Sequence, residues 1–285
     1  MEPSQPGAAA RAWRASVALT RTVLAHDLPE LAAALTYFSV LSLFPALIVV
    51  VALLGLVGLA PDVLQSLLDA VGELGARWAT EFVSTSLGSV LHSQSSGLVL
   101  IVGLVMALWT ASAYVGSFMW ASDVIYKVEG RRPFWRGLPL RLALALLLLG
   151  LLTLTAAAVA LVGPIGGWVA DVSGIGTGPL HLWTWIKWPL LVALGLLMFA
   201  VLYRLAPARR QPALWRLLPG AAVGVALWIL ASAGFSIYLD HFASYNRVYG
   251  TLGAGVAFLV WAWVMNLALL VGVEVNRELE DKGRA

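Results

Sequence analysis

Seven polar residues stand where a polar group is expensive to keep. Tyr37, Ser39, Ser112, Asp123, Asn266, Glu274 and Asn276 fall inside long apolar runs or at their ends. Hydrocarbon offers a hydroxyl, amide or carboxylate no partner, so such groups are retained where they meet one another, water or a passing solute. The chemistry this set could perform is the coordination of a polar or charged molecule crossing an apolar barrier. Thr36, Ser42, Thr110, Tyr114 and Ser117 extend the set. A plainer account has the hydroxyls bonding back to their own helices and the acids lying among headgroups beside Arg and Lys, and at this level both accounts stay open.

Hydrolytic and redox chemistry is poorly provided for. The absence of cysteine removes disulfides, thiolate metal sites and cysteine nucleophiles. His26, His92, His181 and His241 are scattered, with no HxxxH or HExxH spacing to aim two imidazoles at one metal, and read as solvated or interfacial. No GxxxxGK(S/T) phosphate loop is present. Metal-assisted phosphodiester cleavage needs converging carboxylates or histidines in water, and no such cluster is visible. The sequence therefore predicts no enzyme, no metal and no cofactor. A net charge of +3 could suggest nucleic acid, but the basic residues bracket apolar runs, so no nucleic-acid partner is expected.

What must position the polar set is a membrane bundle. The chain is 60% hydrophobic and 12% charged, a balance that a water-soluble surface could not cover. The apolar runs are long enough for helices and lack the alternation of barrel strands. An all-α polytopic membrane protein with six transmembrane helices is predicted, with spans at about 35–59, 98–120, 138–163, 183–205, 218–239 and 251–273. Residues 1–30 form a disordered start followed by an interfacial amphipathic helix, in which Trp13, Val17 and Leu24 oppose Arg11, Arg14 and Arg21. A cleavable signal peptide is not expected, because the first apolar run is too long for an h-region. Residues 31–280 make one membrane domain, and 281–285 a cytoplasmic tail. Between spans one and two, residues 60–97 repeat Leu64, Leu67, Leu68, Val71, Leu74, Trp78 and Phe82 at helical spacing, as an external amphipathic segment would.

Orientation follows from the eighteen Lys and Arg residues. Fifteen fall on the side of the termini and even-numbered loops, and only Arg77, Lys187 and Arg247 fall on the other. This predicts both termini in the cytoplasm and places most of the polar set in the cytoplasmic half, as if lining a cytoplasm-facing cavity. Trp109, Trp120, Trp135, Trp168, Trp183, Trp185, Trp188 and Trp215 cluster near several span ends, where an amphipathic ring is favoured.

Pro45 lies inside span one, where it removes a backbone hydrogen bond and serves as a hinge or a static kink. Gly220 and Gly224 open span five with a small-residue face for close helix approach. Ala107-Leu-Trp109 and Ala226-Leu-Trp228 are similar enough to raise an inverted repeat of three spans, although an Ala- and Leu-rich chain produces such likeness by chance.

Ala34-Leu-Thr-Tyr37-Phe-Ser-Val-Leu-Ser-Leu-Phe-Pro45 and Tyr245-Asn246-Arg-Val-Tyr249-Gly250-Thr-Leu-Gly253 resemble signatures of the YihY/virulence factor BrkB family. Arg132-Pro-Phe-Trp135 and Leu270-Val-Gly272-Val-Glu274-Val-Asn276 add to the resemblance, which runs over about residues 20–280. Asp123-Val-Ile-Tyr126 departs from it, since the family often has Asn-x-x-Tyr there. The resemblance implies a six-helix protein of the bacterial inner membrane. Members have carried a ribonuclease label, which these residues do not support. The function expected is a transporter or lipid-handling permease for a small or amphiphilic molecule, with membrane lipids and a second copy of the chain as partners. The alternative is a non-transporting envelope scaffold that binds lipid or a protein partner.

Overall fold

The computed structural model describes residues 27–56, 96–130, 132–160, 178–242 and 246–283, although for stretches of these helices only the backbone is described. The terminal amphipathic helix, the external segment and Tyr245 lie outside the described residues, as do the side chains of Pro45, Asn246 and Tyr249 and the surroundings of Gly250.

Among the described residues the fold is all-helical, with six helices: α1 (Leu28–Leu56), α2 (Ser96–Ile125), α3 (Phe134–Ala160), α4 (Gly178–Leu205), α5 (Leu214–Phe242) and α6 (Asn246–Lys282). Leu104–Ile125, Trp135–Thr155, Trp188–Leu205, Leu214–Tyr238 and Gly255–Lys282 give five of them an apolar stretch long enough to cross a membrane. Large apolar side chains face outward along these stretches, including Val105, Leu154, Leu197, Leu230 and Val256. Such a surface would associate in water, whereas lipid tails solvate it at no cost.

Each helix packs on the next, and α6 returns to α1, closing a ring in which α2 also touches α6 and α1 touches α3. The core lies toward the end where α2, α4 and α6 finish and α3 and α5 begin, here called the basic end. It is built from Leu28, Leu31 and Leu35 of α1, Phe118 and Ile125 of α2, Leu144 of α3, Tyr203 of α4, Leu217 of α5 and Leu270 and Val273 of α6. On α1 and α2 these positions recur every three or four residues, which puts them on one helical face.

The turns at the basic end are individually specified. The amide of Val128 donates to the Asp123 carbonyl at 2.9 Å and that of Lys127 to Val124 at 3.0 Å, a Schellman termination with Lys127 left-handed at φ 51°. Gly130, at φ 98°, turns the chain toward α3. From that turn the Arg132 guanidinium donates to the carbonyls of Leu205, Ala206 and Pro207 at 3.3, 3.2 and 2.5 Å. It thereby satisfies acceptors that the end of α4 would leave bare.

Candidate functional site

Most of the described polar side chains of the set gather in two places. The first is centred on Asn266, which is 5% exposed within the apolar stretch of α6. Its amide nitrogen donates to Thr36 Oγ1 and Ser39 Oγ of α1, each at 3.3 Å, and to its own Ala262 carbonyl at 2.9 Å. Its carbonyl oxygen accepts the Tyr114 hydroxyl of α2 at 3.0 Å. Thr36 and Ser39 also donate back to Ala32 and Thr36 carbonyls, so the two hydroxyls bond both along their helix and across it. One amide thus ties α1, α2 and α6 together inside the bundle. Tyr37 does not join this group. It is 65% exposed and meets Phe38 edge-on, 5.2 Å between ring centres. One residue along a helix turns a side chain by about 100°, so Tyr37 points away from Thr36 and Ser39. Ser112 is buried two residues from Tyr114.

The second place is the basic end. Asn276 is buried, and its side chain accepts the Gly220 amide at 3.0 Å and donates to the Leu217 carbonyl at 3.1 Å. Pro219 lies beside these groups in the opening turns of α5, where Asn276 answers an amide and a carbonyl from α6. Gly220 and Gly272 meet backbone to backbone. Gly224 lies against the Tyr203 hydroxyl and the Phe199 ring. Glu274 is fully buried and accepts from Arg277 at 2.9 and 2.5 Å, while Arg277 reaches Asp281 at 2.9 Å. Asp123 accepts the Ala208 amide at 2.6 Å, joining α2 to the loop after α4. Arg209 of that loop pairs with Glu280 and lies 4.3 Å from the centre of the Tyr126 ring. Burial pushes the Tyr126 hydroxyl up to about 12, against the pull of the Arg209 charge.

The structure therefore brings Ser39 and Asn266 together in one cluster and Asp123, Glu274 and Asn276 to one end. It adds Tyr203, which sequence reasoning missed: fully buried, it donates to the Leu269 carbonyl at 2.7 Å between α4, α5 and α6. A lone tyrosine before Arg204 at a span end reads as an interfacial ring. Gln211 and Ser122, both buried, were missed as well, and neither carries a sequence signal beyond its polarity.

No group of three His, Asp or Glu residues able to hold a metal occurs among the described residues. The arrangement can exchange hydrogen bonds with a polar guest and hold charges in compensated pairs.

The family model described as Virulence factor BrkB matches residues 19–285. The chain is 29% identical to the putative ribonuclease-like protein YfkH of Bacillus subtilis over 263 residues, covering 90% of this chain and 92% of that protein. It is 25% identical to the UPF0761 membrane protein VV0203 of Vibrio vulnificus over 280 residues, covering 94% and 84%. No solved structure matches.

Proposed function

This chain belongs to the virulence factor BrkB family, a family of membrane proteins with several apolar helices, and from that premise we propose a permease of the bacterial inner membrane. It carries a small or amphiphilic molecule along a polar route between α1, α2, α5 and α6. The observation that supports this most is the Asn266 cluster. Hydrogen bonds between helices in a membrane average only about 0.6 kcal/mol, so a bundle gains little stability by burying an amide that leucine could replace. What the amide, the Tyr114 hydroxyl and the two α1 hydroxyls do provide is a set of partners that can be traded for those of a polar solute. With no phosphate loop in the sequence, the drive is a gradient or a partner. The ribonuclease wording stays with the relative that bears it.

The proposal has the termini and the basic end in the cytoplasm, on the fifteen-to-three division of Lys and Arg. Cytoplasmic reporters fused after Arg210 or Lys282 are expected to be active, and periplasmic reporters near Ser95 or Gly174. A periplasmic signal after Lys282 would refute the orientation.

A second reading, a non-transporting scaffold, is favoured by the interlocked Gly220, Gly272, Asn276 and Tyr203 contacts. The chain lacks cysteine, so single thiols decide between the two. Ser39→Cys and Ser112→Cys are expected to react with a hydrophilic thiol reagent from the cytoplasmic side, while Leu148→Cys, in contact with the core from α3, stays silent. If both serine positions prove as inert as Leu148→Cys under every condition, the scaffold reading replaces the permease.

A further inference from the structure

Between the last turn of α2 and the loop joining α4 to α5 lie polar atoms that no group among the described residues answers. Ser122 and Tyr126 sit one helical turn apart at the end of α2, at 0% and 6% exposure, and neither hydroxyl has a hydrogen-bond partner among the described residues. Gln211, two residues after Arg209 in that loop, is 6% exposed, and neither of its side-chain amide atoms has a partner among the described residues. Arg209 Nε and one Glu280 oxygen are in the same condition. The segments that carry them meet: Ala208 bonds Asp123 at 2.6 Å, and the Arg209 guanidinium lies 4.3 Å from the Tyr126 ring centre while pairing with Glu280. Glu274, Arg277 and Asp281 act electrostatically on Tyr126 from α6.

A dry orphaned polar atom carries its full desolvation penalty, and the penalty repeats for each member of such a group. The unanswered set contains donors in the Tyr126 and Ser122 hydroxyls, the Gln211 nitrogen and Arg209 Nε, and acceptors in the Gln211 and Glu280 oxygens. A guest that satisfies it must both donate and accept. It need not be an ion, because Glu280, Glu274 and Asp281 each already have a guanidinium beside them. It must also fit between packed side chains. Water meets all three conditions.

We propose that Ser122, Tyr126, Gln211, Arg209 and Glu280 enclose an internal water site, which forms the hydrated basic-side segment of the route. The inference rests on the permease reading for its role in a route, but its test does not depend on transport. Ser122→Cys, in the otherwise cysteine-free full chain in lipid vesicles, is treated with a small hydrophilic methanethiosulfonate. It is expected to react on the order of tenfold faster than Val115→Cys, an equally buried position two turns along the same face of α2, away from the orphaned atoms. Equal rates would overturn the continuity of the site with a hydrated route, and the melting comparison of Ser122→Ala and Tyr126→Phe decides the water itself. Thermal unfolding of Ser122→Ala and Tyr126→Phe keeps the question decidable if the thiol variant does not accumulate. Removing a hydrated hydroxyl leaves the melting temperature unchanged or lower, whereas a rise in both variants means that the chamber is dry. Ser39→Cys and Ser112→Cys can fail to react while Ser122→Cys reacts, so loss of the permease reading is distinguishable from loss of this one.

Discussion

Alanine at Gly220 or Gly272 is expected to eliminate most folded protein from the membrane, while alanine at Gly234 leaves its level unchanged. A Cβ at Gly272 would lie 2.2 Å from the Tyr203 hydroxyl and 2.6 Å from the Gly220 carbonyl oxygen. One at Gly220 would lie 2.3 Å from the Gly272 carbonyl oxygen and 2.4 Å from Asn276 Cγ. Flexible side chains can yield, but here the obstacle is the backbone of the partner helix, so α5 and α6 must separate. Overpacking of a rigid contact costs about 3 kcal/mol, and separation adds the Asn276 bonds to α5. In an open helical position the same change is mildly favourable, and Gly234 has nothing within 4 Å of such a Cβ. Detergent-extracted protein assayed by size-exclusion chromatography and thermal unfolding checks both sides. A Gly272→Ala protein melting with the wild type would show that α5 and α6 do not cross in this way.

Asn276→Asp is expected to cost about 3–5 kcal/mol, the range for a buried charge left without its partner. The asparagine accepts from Gly220 with one end and donates to Leu217 with the other, at 1% exposure. A carboxylate keeps the first bond but turns an acceptor toward the Leu217 carbonyl. Asn276→Leu leaves one donor and one acceptor orphaned, for about 1–3 kcal/mol each. Asn266→Leu is milder, near 1 kcal/mol by the same rule, because Thr36 and Ser39 keep their bonds to α1 carbonyls and only Tyr114 loses its acceptor. Comparing the three variants by thermal unfolding separates the two asparagines. Position 276 should fail by unfolding, and position 266 should leave a folded protein in which any loss is one of activity.

Hydropathy marks where hydrocarbon ends, and a helix need not end there. The expected sixth span stopped at 273, yet α6 continues to Lys282, where Arg277 pairs with Glu274 and Asp281 along its surface. Likewise α2 runs past the expected 120 to Ile125 and is closed by the left-handed Lys127, which no residue type there announces. Gly220 and Gly224 were legible as a close-approach face, but the surface they approach, Gly272, Asn276 and Tyr203, is remote in sequence and had no local sign. Thr36, Tyr37 and Ser39 could not be sorted by polarity alone. Only the neighbour settled which hydroxyl turned inward, and Asn266 stands 230 residues from Thr36.

That separation also bears on biosynthesis. At about 5–20 residues per second, roughly 10–50 s pass between the emergence of Thr36 from the ribosome and that of Asn266. Through that interval the ring is open, and among the described residues the main neighbours of α1 are α2 and α3. Closure of the ring therefore waits for α6, and truncation before α6 leaves an open assembly with a hydroxyl-bearing flank for insertion and quality-control machinery to recognise.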